Sequence, residues 1–70
     1  MNFHINGKAY ALSHETSITV SAALDLYFIE PQHSTFAVAL NGDFVGKDAY
    51  ETTKVNNGDS LDVLMPIQGG

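Results

Sequence analysis

The sequence predicts an α+β domain in which a mixed sheet of four or five strands carries one main helix on one face. Three observations favour this fold class. A chain of 70 residues has room for one thin core. Three Asn-Gly pairs separate short apolar stretches, and such pairs favour the positive φ angles of tight chain reversals. A single stretch in the first half has helical spacing of its apolar residues, whereas the other apolar stretches alternate.

The first Asn-Gly pair, at positions 6 and 7, predicts an N-terminal hairpin. Before the turn, Phe3 and Ile5 alternate with polar residues, which places both on the inner face of the sheet. After the turn, Tyr10 and Leu12 are expected to share that face.

Helical spacing begins after Ile18. The apolar residues at i, i+3, i+4, i+7 and i+8 are Val20, Ala23, Leu24, Tyr27 and Phe28. Thr19 is the predicted N-cap, with Ser17 as the alternative. Because Pro31 disfavours helical geometry in the preceding residue, we expect the helix to end near Ile29. Residues 30–35 are then a polar crossing.

Alternation returns in the second half. Phe36, Val38 and Leu40 are predicted to share the inner face of a strand, with the two intervening alanines on the other face. A turn at residues 41–43 leads to a short edge strand containing Phe44 and Val45. Residues 46–56 are predicted to be irregular, with one helical turn around residues 48–51.

The irregular segment is expected to fill the core with Tyr50 or Val55. In the last strand, residues 61–65, we expect Leu61, Val63 and Met65 to face the core and Leu64 to face outward. Pro66 lacks a backbone donor and is expected to end that strand.

Charge and composition exclude several partners. Three Lys, no Arg and eight carboxylates give a net charge of −5, which argues against nucleic acid and anionic membranes as partners. A charged partner is expected to be basic. The absence of Cys, of a signal-like segment and of a long apolar run predicts a disulfide-free protein of the cytoplasm.

The side chains offer little chemistry. His4, His14 and His33 lack the spacing of metal ligands, and no glycine-rich phosphate loop is present. Serines near His14 lack a third orienting group. We therefore expect no metal, no cofactor and no catalytic residue in this chain, which is then not an enzyme.

The C-terminal residues are the one distinctive feature. Gly69 and Gly70 follow directly from the last strand through Pro66, Ile67 and Gln68. Without Cβ atoms, the last two residues fit a channel that is too narrow for side chains. This arrangement indicates that residues 67–70 form a flexible tail on a domain of residues 1–66. The α-carboxylate of Gly70 would be the reacting group. Transfer of AMP from ATP would turn one of its oxygens into a leaving group, and a sulfur nucleophile would then displace AMP.

The sequence resembles the ThiS family of sulfur carriers in thiamine thiazole synthesis. The resemblance lies in the residues from Phe36 to Val45 (Phe-Ala-Val-Ala-Leu-Asn-Gly-Asp-Phe-Val), in Asn-Gly-Asp at 57–59 and in Val-Leu-Met-Pro-Ile-Gln-Gly-Gly at 63–70. It implies a ubiquitin-like β-grasp fold. It also implies an E1-like, ThiF-type partner that binds ATP and magnesium and adenylates Gly70, a sulfur-relay protein, and a ThiG-type thiazole synthase that accepts the sulfur.

By analogy with the family, the outer face of the sheet is expected to dock partners. The candidates are Leu64 and Phe44, with His4 at the rim, although Phe44 could instead belong to the core. Three alternatives to a thiamine carrier remain at this stage. They are a molybdopterin-type or other sulfur carrier, a ubiquitin-like protein modifier, and a β-grasp binding module without terminal chemistry.

Overall fold

The computed structural model describes residues 1–29 and 35–65. Within them, the elements in chain order are β1 (Asn2–Ile5), β2 (Lys8–Ala11), β3 (Ser17–Thr19), α1 (Val20–Tyr27), β4 (Ala37–Leu40), β5 (Asp43–Val45), a 3₁₀ helix (Lys47–Ala49), β6 (Lys54–Asn56) and β7 (Ser60–Leu64). Five strands form a mixed sheet in the order β2-β1-β7-β4-β5, and β3 pairs with β6 in a separate two-stranded sheet. The predicted α+β architecture with a five-stranded sheet is confirmed.

Two of the Asn-Gly pairs form the turns of the hairpins. Asn6 and Gly7 have φ angles of 51° and 82°, and Asn41 and Gly42 have φ angles of 51° and 88°. Positive φ at both central residues is the geometry that matches the twist of two antiparallel strands. β1 therefore pairs antiparallel with β2, and β4 with β5, as the sequence predicts.

The core lies between the sheet and α1. Its buried residues are Phe3, Ile5, Val20, Ala23, Leu24, Val38, Val45, Val55, Leu61 and Val63. The predicted partners of this core, Tyr10, Leu12, Phe36 and Leu40, pack against it and are partly buried. Tyr10 stacks on Phe3 with the ring centroids 5.5 Å apart. The inner face predicted for these strands is therefore confirmed.

α1 begins as predicted and ends earlier. The Thr19 hydroxyl accepts a hydrogen bond from the Ala22 N–H at 3.0 Å, so Thr19 rather than Ser17 is the N-cap. The helix ends at Tyr27, because Phe28 adopts an extended conformation and packs its ring 5.0 Å from that of Phe36. Ile29 is almost fully exposed. Pro31 and residues 30–34 of the crossing predicted at 30–35 lie outside the described residues.

Residues 46–56 are more regular than the sequence predicts. The helical turn is present as the 3₁₀ helix, which starts one residue earlier than expected. β6 pairs with β3 in a register that places Val55 opposite Ile18. Val55 is fully buried, and the partly buried Tyr50 stacks on Phe36 at 6.3 Å. Both candidates for filling the core thus contribute to it.

The prediction that Met65 faces the core is wrong. Leu61 and Val63 lie opposite Leu40 and Val38 of β4, but Ala37, opposite Leu64, is the first residue of that strand. Met65 has no partner in β4 and is 46% exposed. The core face of the last strand ends at Val63. The domain boundary predicted after Pro66 lies outside the described residues.

We expect Thr19→Ala to lower the free energy of unfolding by about 1 kcal/mol, because the Ala22 N–H loses its cap. Urea denaturation followed by circular dichroism measures this difference. The exposed Thr16, three residues earlier, provides the control: Thr16→Ala should change stability by less than about 0.5 kcal/mol. Equal losses in the two variants would show that the cap is not the cause.

Candidate docking face and chain end

The outer face of the main sheet is the face opposite the core. On β7 it carries Asp62 and Leu64, which alternate with the buried Leu61 and Val63. The register places Ala37 opposite Leu64 and Ala39 opposite Asp62. On the other side of β4, Phe44 of β5 lies opposite Ala39. These five outward residues, Phe44, Ala39, Asp62, Ala37 and Leu64, form what we call the outer patch.

Two large apolar side chains dominate the outer patch. Phe44 is 76% exposed and Leu64 is 60% exposed. The residues between them on β4 are alanines, whose small apolar side chains project only a short distance from the sheet. Exposure of Phe44 removes the alternative that it belongs to the core. Leu64 faces outward, as predicted. Large apolar side chains held in solvent on a rigid sheet are typical of an interaction surface.

An open apolar groove adjoins the outer patch. It is lined by Thr35, Phe36, Ala37, Leu64 and Met65 and has a volume of about 390 Å³. It lies where β7 ends and the chain continues toward the predicted tail. The candidate tail residues Ile67, Gln68, Gly69 and Gly70 lie outside the described residues. The groove therefore lies at the C-terminal end of β7, next to Met65.

His4 lies on the same face but not in the outer patch. It is exposed on β1, where it is aligned with Ser60 at the start of β7 and with Ala9 of β2. Leu64 lies four residues further along β7. The structure thus brings Phe44 and Leu64 to the two sides of β4, whereas His4 lies near the opposite end of the central strands.

The charged and titratable groups give the face little polar chemistry. Asp62 is the acid of the outer patch, half-buried between neighbouring strands. Burial raises the pKa of the Tyr50 phenol above its ordinary value of 10.0, so this phenol is protonated at neutral pH.

Within residues 1–29 and 35–65, no group of three His, Asp or Glu side chains could hold a metal ion. Nor does this part of the chain contain a helix long and apolar enough to cross a membrane.

The sequence predicts only a turn at Asn6, and the contacts of this residue with β7 are an additional finding of the structure. The Val63 N–H donates to Asn6 Oδ1 at 2.8 Å, and Asn6 Nδ2 donates to the Val63 carbonyl at 3.1 Å. Asn6 Nδ2 also donates to the Tyr27 hydroxyl at 2.9 Å. We call these three hydrogen bonds the Asn6 bridge. Sequence spacing holds no signal for them, because the partners are 21 and 57 residues away.

Comparison with known proteins gives a family. The model of the ThiS family matches residues 3–70, nearly the whole chain. The chain belongs to the ThiS family. The resemblance inferred from the sequence is confirmed, and membership supports a role as a sulfur carrier in thiamine biosynthesis that interacts with enzymes of that pathway. A carrier of this kind is consistent with a chain that is not itself catalytic.

Solved structures agree with the family and with its β-grasp fold. A crystal structure of the thiamine biosynthesis protein ThiS from Geobacter metallireducens is 30% identical, with a TM-score of 0.81 and full coverage of both chains. A solution NMR structure of a thiamine biosynthesis protein from the same organism is also 30% identical, with a TM-score of 0.73. It covers all of this chain and 88% of the other. No protein with a curated description matches this ThiS-family chain.

Truncation of a leucine to alanine should change the free energy of unfolding by different amounts on the two faces of β7. We expect Leu64→Ala to change the free energy of unfolding by less than about 0.5 kcal/mol, because the side chain is already in solvent. Leu61→Ala, in the same strand but fully buried, should cost about 2–5 kcal/mol. Thermal and urea denaturation measure both. Equal costs would contradict the outward position of Leu64.

Proposed function

We propose that this protein carries sulfur on the C-terminal carboxylate of Gly70 for formation of the thiamine thiazole. The observation that carries the proposal is the ThiS-family match, which extends through residue 70 and so includes the Gly-Gly sequence. β7 ends at Leu64, and residues 65–68 separate it from this sequence. The domain then serves as a handle by which partner enzymes hold the tail.

The chemistry proceeds in two steps. A Gly70 carboxylate oxygen attacks the α-phosphorus of ATP, which forms an acyl-adenylate and releases pyrophosphate. A sulfur nucleophile then attacks the carbonyl carbon, and the bond to the AMP oxygen breaks. With hydrosulfide as the nucleophile the products are a thiocarboxylate, AMP and a proton. The adenylate is needed because a free carboxylate is a poor electrophile.

The partners supply the catalytic groups. An E1-like, ThiF-type enzyme binds ATP and magnesium and forms the adenylate. A sulfur-relay protein provides the sulfur, and a ThiG-type thiazole synthase accepts it from the thiocarboxylate. In this scheme the carrier is a protein co-substrate that holds no cofactor of its own. Gly69 and Gly70 occupy the narrow channel of each partner, and Ile67 and Gln68 are the tail residues that precede it.

The outer patch is the proposed contact with these partners. Phe44 and Leu64 provide apolar contacts on a flat sheet, and His4 marks the rim of the same face. Complementary basic groups on a partner would match Asp62 and the net charge of −5. The apolar contacts supply affinity, while the charge raises the rate of encounter.

The first test is intact-mass spectrometry after incubation with a ThiF-type enzyme, ATP and sulfide. We expect a mass gain equal to the exchange of one oxygen for sulfur, located on Gly70. A chain with one alanine added after Gly70 is the control and should remain unmodified while melting at the same temperature. Conjugates on lysines of other proteins would instead indicate a protein modifier. Thiazole formation supported by the extended chain would indicate a binding module.

The second test concerns docking. Leu64→Ala should raise the KM of the ThiF-type enzyme for the carrier about tenfold, because an apolar anchor of the interface is lost. Leu26→Ala is the matched control, since Leu26 is also partly exposed but lies on α1. Steady-state release of pyrophosphate measures both. A larger effect from Leu26→Ala would place the docking surface on the helix.

A further inference from the structure

The end of β7 is held differently on its two sides. On one side, β4 pairs with β7 as far as Leu64. On the other side, β1 pairs in parallel only as far as Ile5, opposite Leu61, because the chain turns at Asn6. The backbone of Val63 would therefore lack a partner on this side without the Asn6 bridge.

The Asn6 carboxamide takes the place of the missing part of β1. In this parallel ladder the His4 N–H donates to the Asp59 carbonyl at 3.0 Å, and the Asn6 N–H donates to the Leu61 carbonyl at 2.9 Å. If β1 continued straight, its next backbone carbonyl would accept a hydrogen bond from the Val63 N–H. A following backbone N–H of β1 would then donate to the Val63 carbonyl. Asn6 Oδ1 and Nδ2 make these two bonds instead.

The bridge also joins the helix to the strand. The second hydrogen of Asn6 Nδ2 is donated to the hydroxyl of Tyr27, the last residue of α1. Both N–H donors and the carbonyl of the carboxamide are thus in use. One side chain fixes the end of β7 to the turn after β1 and to the end of α1.

We propose that Asn6 is a positioning residue for the reaction at the chain end: by holding Val63 it fixes the end of β7, the last strand before Gly70 in the sequence. This inference rests on the proposed function. The five residues after Met65 reach at most about 17 Å when extended, so the position of the end of β7 limits where Gly70 can be placed. A misplacement of about 1 Å can slow a reaction about a hundredfold.

Substitution by glycine tests this without disturbing the turn, because glycine readily adopts the φ of 51° found at Asn6. We expect Asn6→Gly to increase the hydrogen exchange of the Val63 amide at least about tenfold. With a ThiF-type enzyme and ATP, kcat for pyrophosphate release should fall about five- to tenfold. The KM for the carrier should change less than about twofold, because the outer patch is intact.

Asn41→Gly is the matched control. Asn41 has the same φ of 51° in the other hairpin turn. Its carboxamide accepts from the Ser60 N–H at 2.9 Å and donates to Asp59 at 3.0 Å, so it holds the start of β7 rather than the end. Asn41→Gly should leave kcat and Val63 exchange unchanged when both variants are assayed well below their melting temperatures.

Asn6→Asp provides a second test if the glycine variant does not fold. Aspartate keeps the acceptor for the Val63 N–H but places an acceptor against the Val63 carbonyl, so kcat should fall by an intermediate amount. If the wild type is adenylated, equal losses of kcat in the Asn6 and Asn41 variants would overturn the positioning role. The absence of any loss of kcat in either variant would overturn it as well. A wild-type chain that is not adenylated at all would reject the proposed function and this role with it.

Discussion

The parallel pairing of β1 with β7 is the constraint on which the rest of the structure depends. It places the last strand in the centre of the main sheet, between β1 and β4, although β1 and β7 are separated by more than fifty residues of sequence. Non-local pairing of this kind has a large entropic cost, which burial of Phe3, Ile5 and Leu61 around the junction offsets. A central strand is also the most firmly held strand of a sheet. The last strand before the chain end is therefore a central strand rather than an edge strand.

The alternation of β7 then separates stability from recognition. Leu61 and Val63 are buried in the core, while Asp62 and Leu64 lie on the opposite face of the sheet. Because successive side chains point to opposite faces, substitutions on the outer face can alter partner binding without removing core volume. The alanines of β4 have the complementary effect, since their small size leaves Phe44 and Leu64 accessible.

Local signals in the sequence were sufficient for the hairpins and the helix start. Asn followed by Gly favours positive φ, which both residues adopt in the two hairpin turns, whereas at 57–58 only Gly58 does. Thr19 is followed directly by helical spacing. The two-stranded sheet was missed because Ile18 and Val55 meet only in the folded chain, and three-residue strands show no clear period. Met65 was misplaced because alternation cannot show where the neighbouring strand begins. The Asn6 bridge was not predicted, because the sequence does not distinguish an Asn that only forms a turn from an Asn that also hydrogen-bonds to β7.

The short tail limits how the proposed carrier can work. The six residues after β7 reach at most about 21 Å, so each partner must place its reacting group within that distance of the end of β7. The tail therefore cannot reach from one enzyme to the next while the domain stays bound to the first. Sulfur transfer then requires that the carrier dissociate after each step, and very tight docking would slow the cycle. An outer patch with two large apolar side chains, on a domain with a net charge of −5, suits fast association and moderate affinity. Precision at the reacting atom must then come from how the domain holds its own chain end rather than from the strength of the complex.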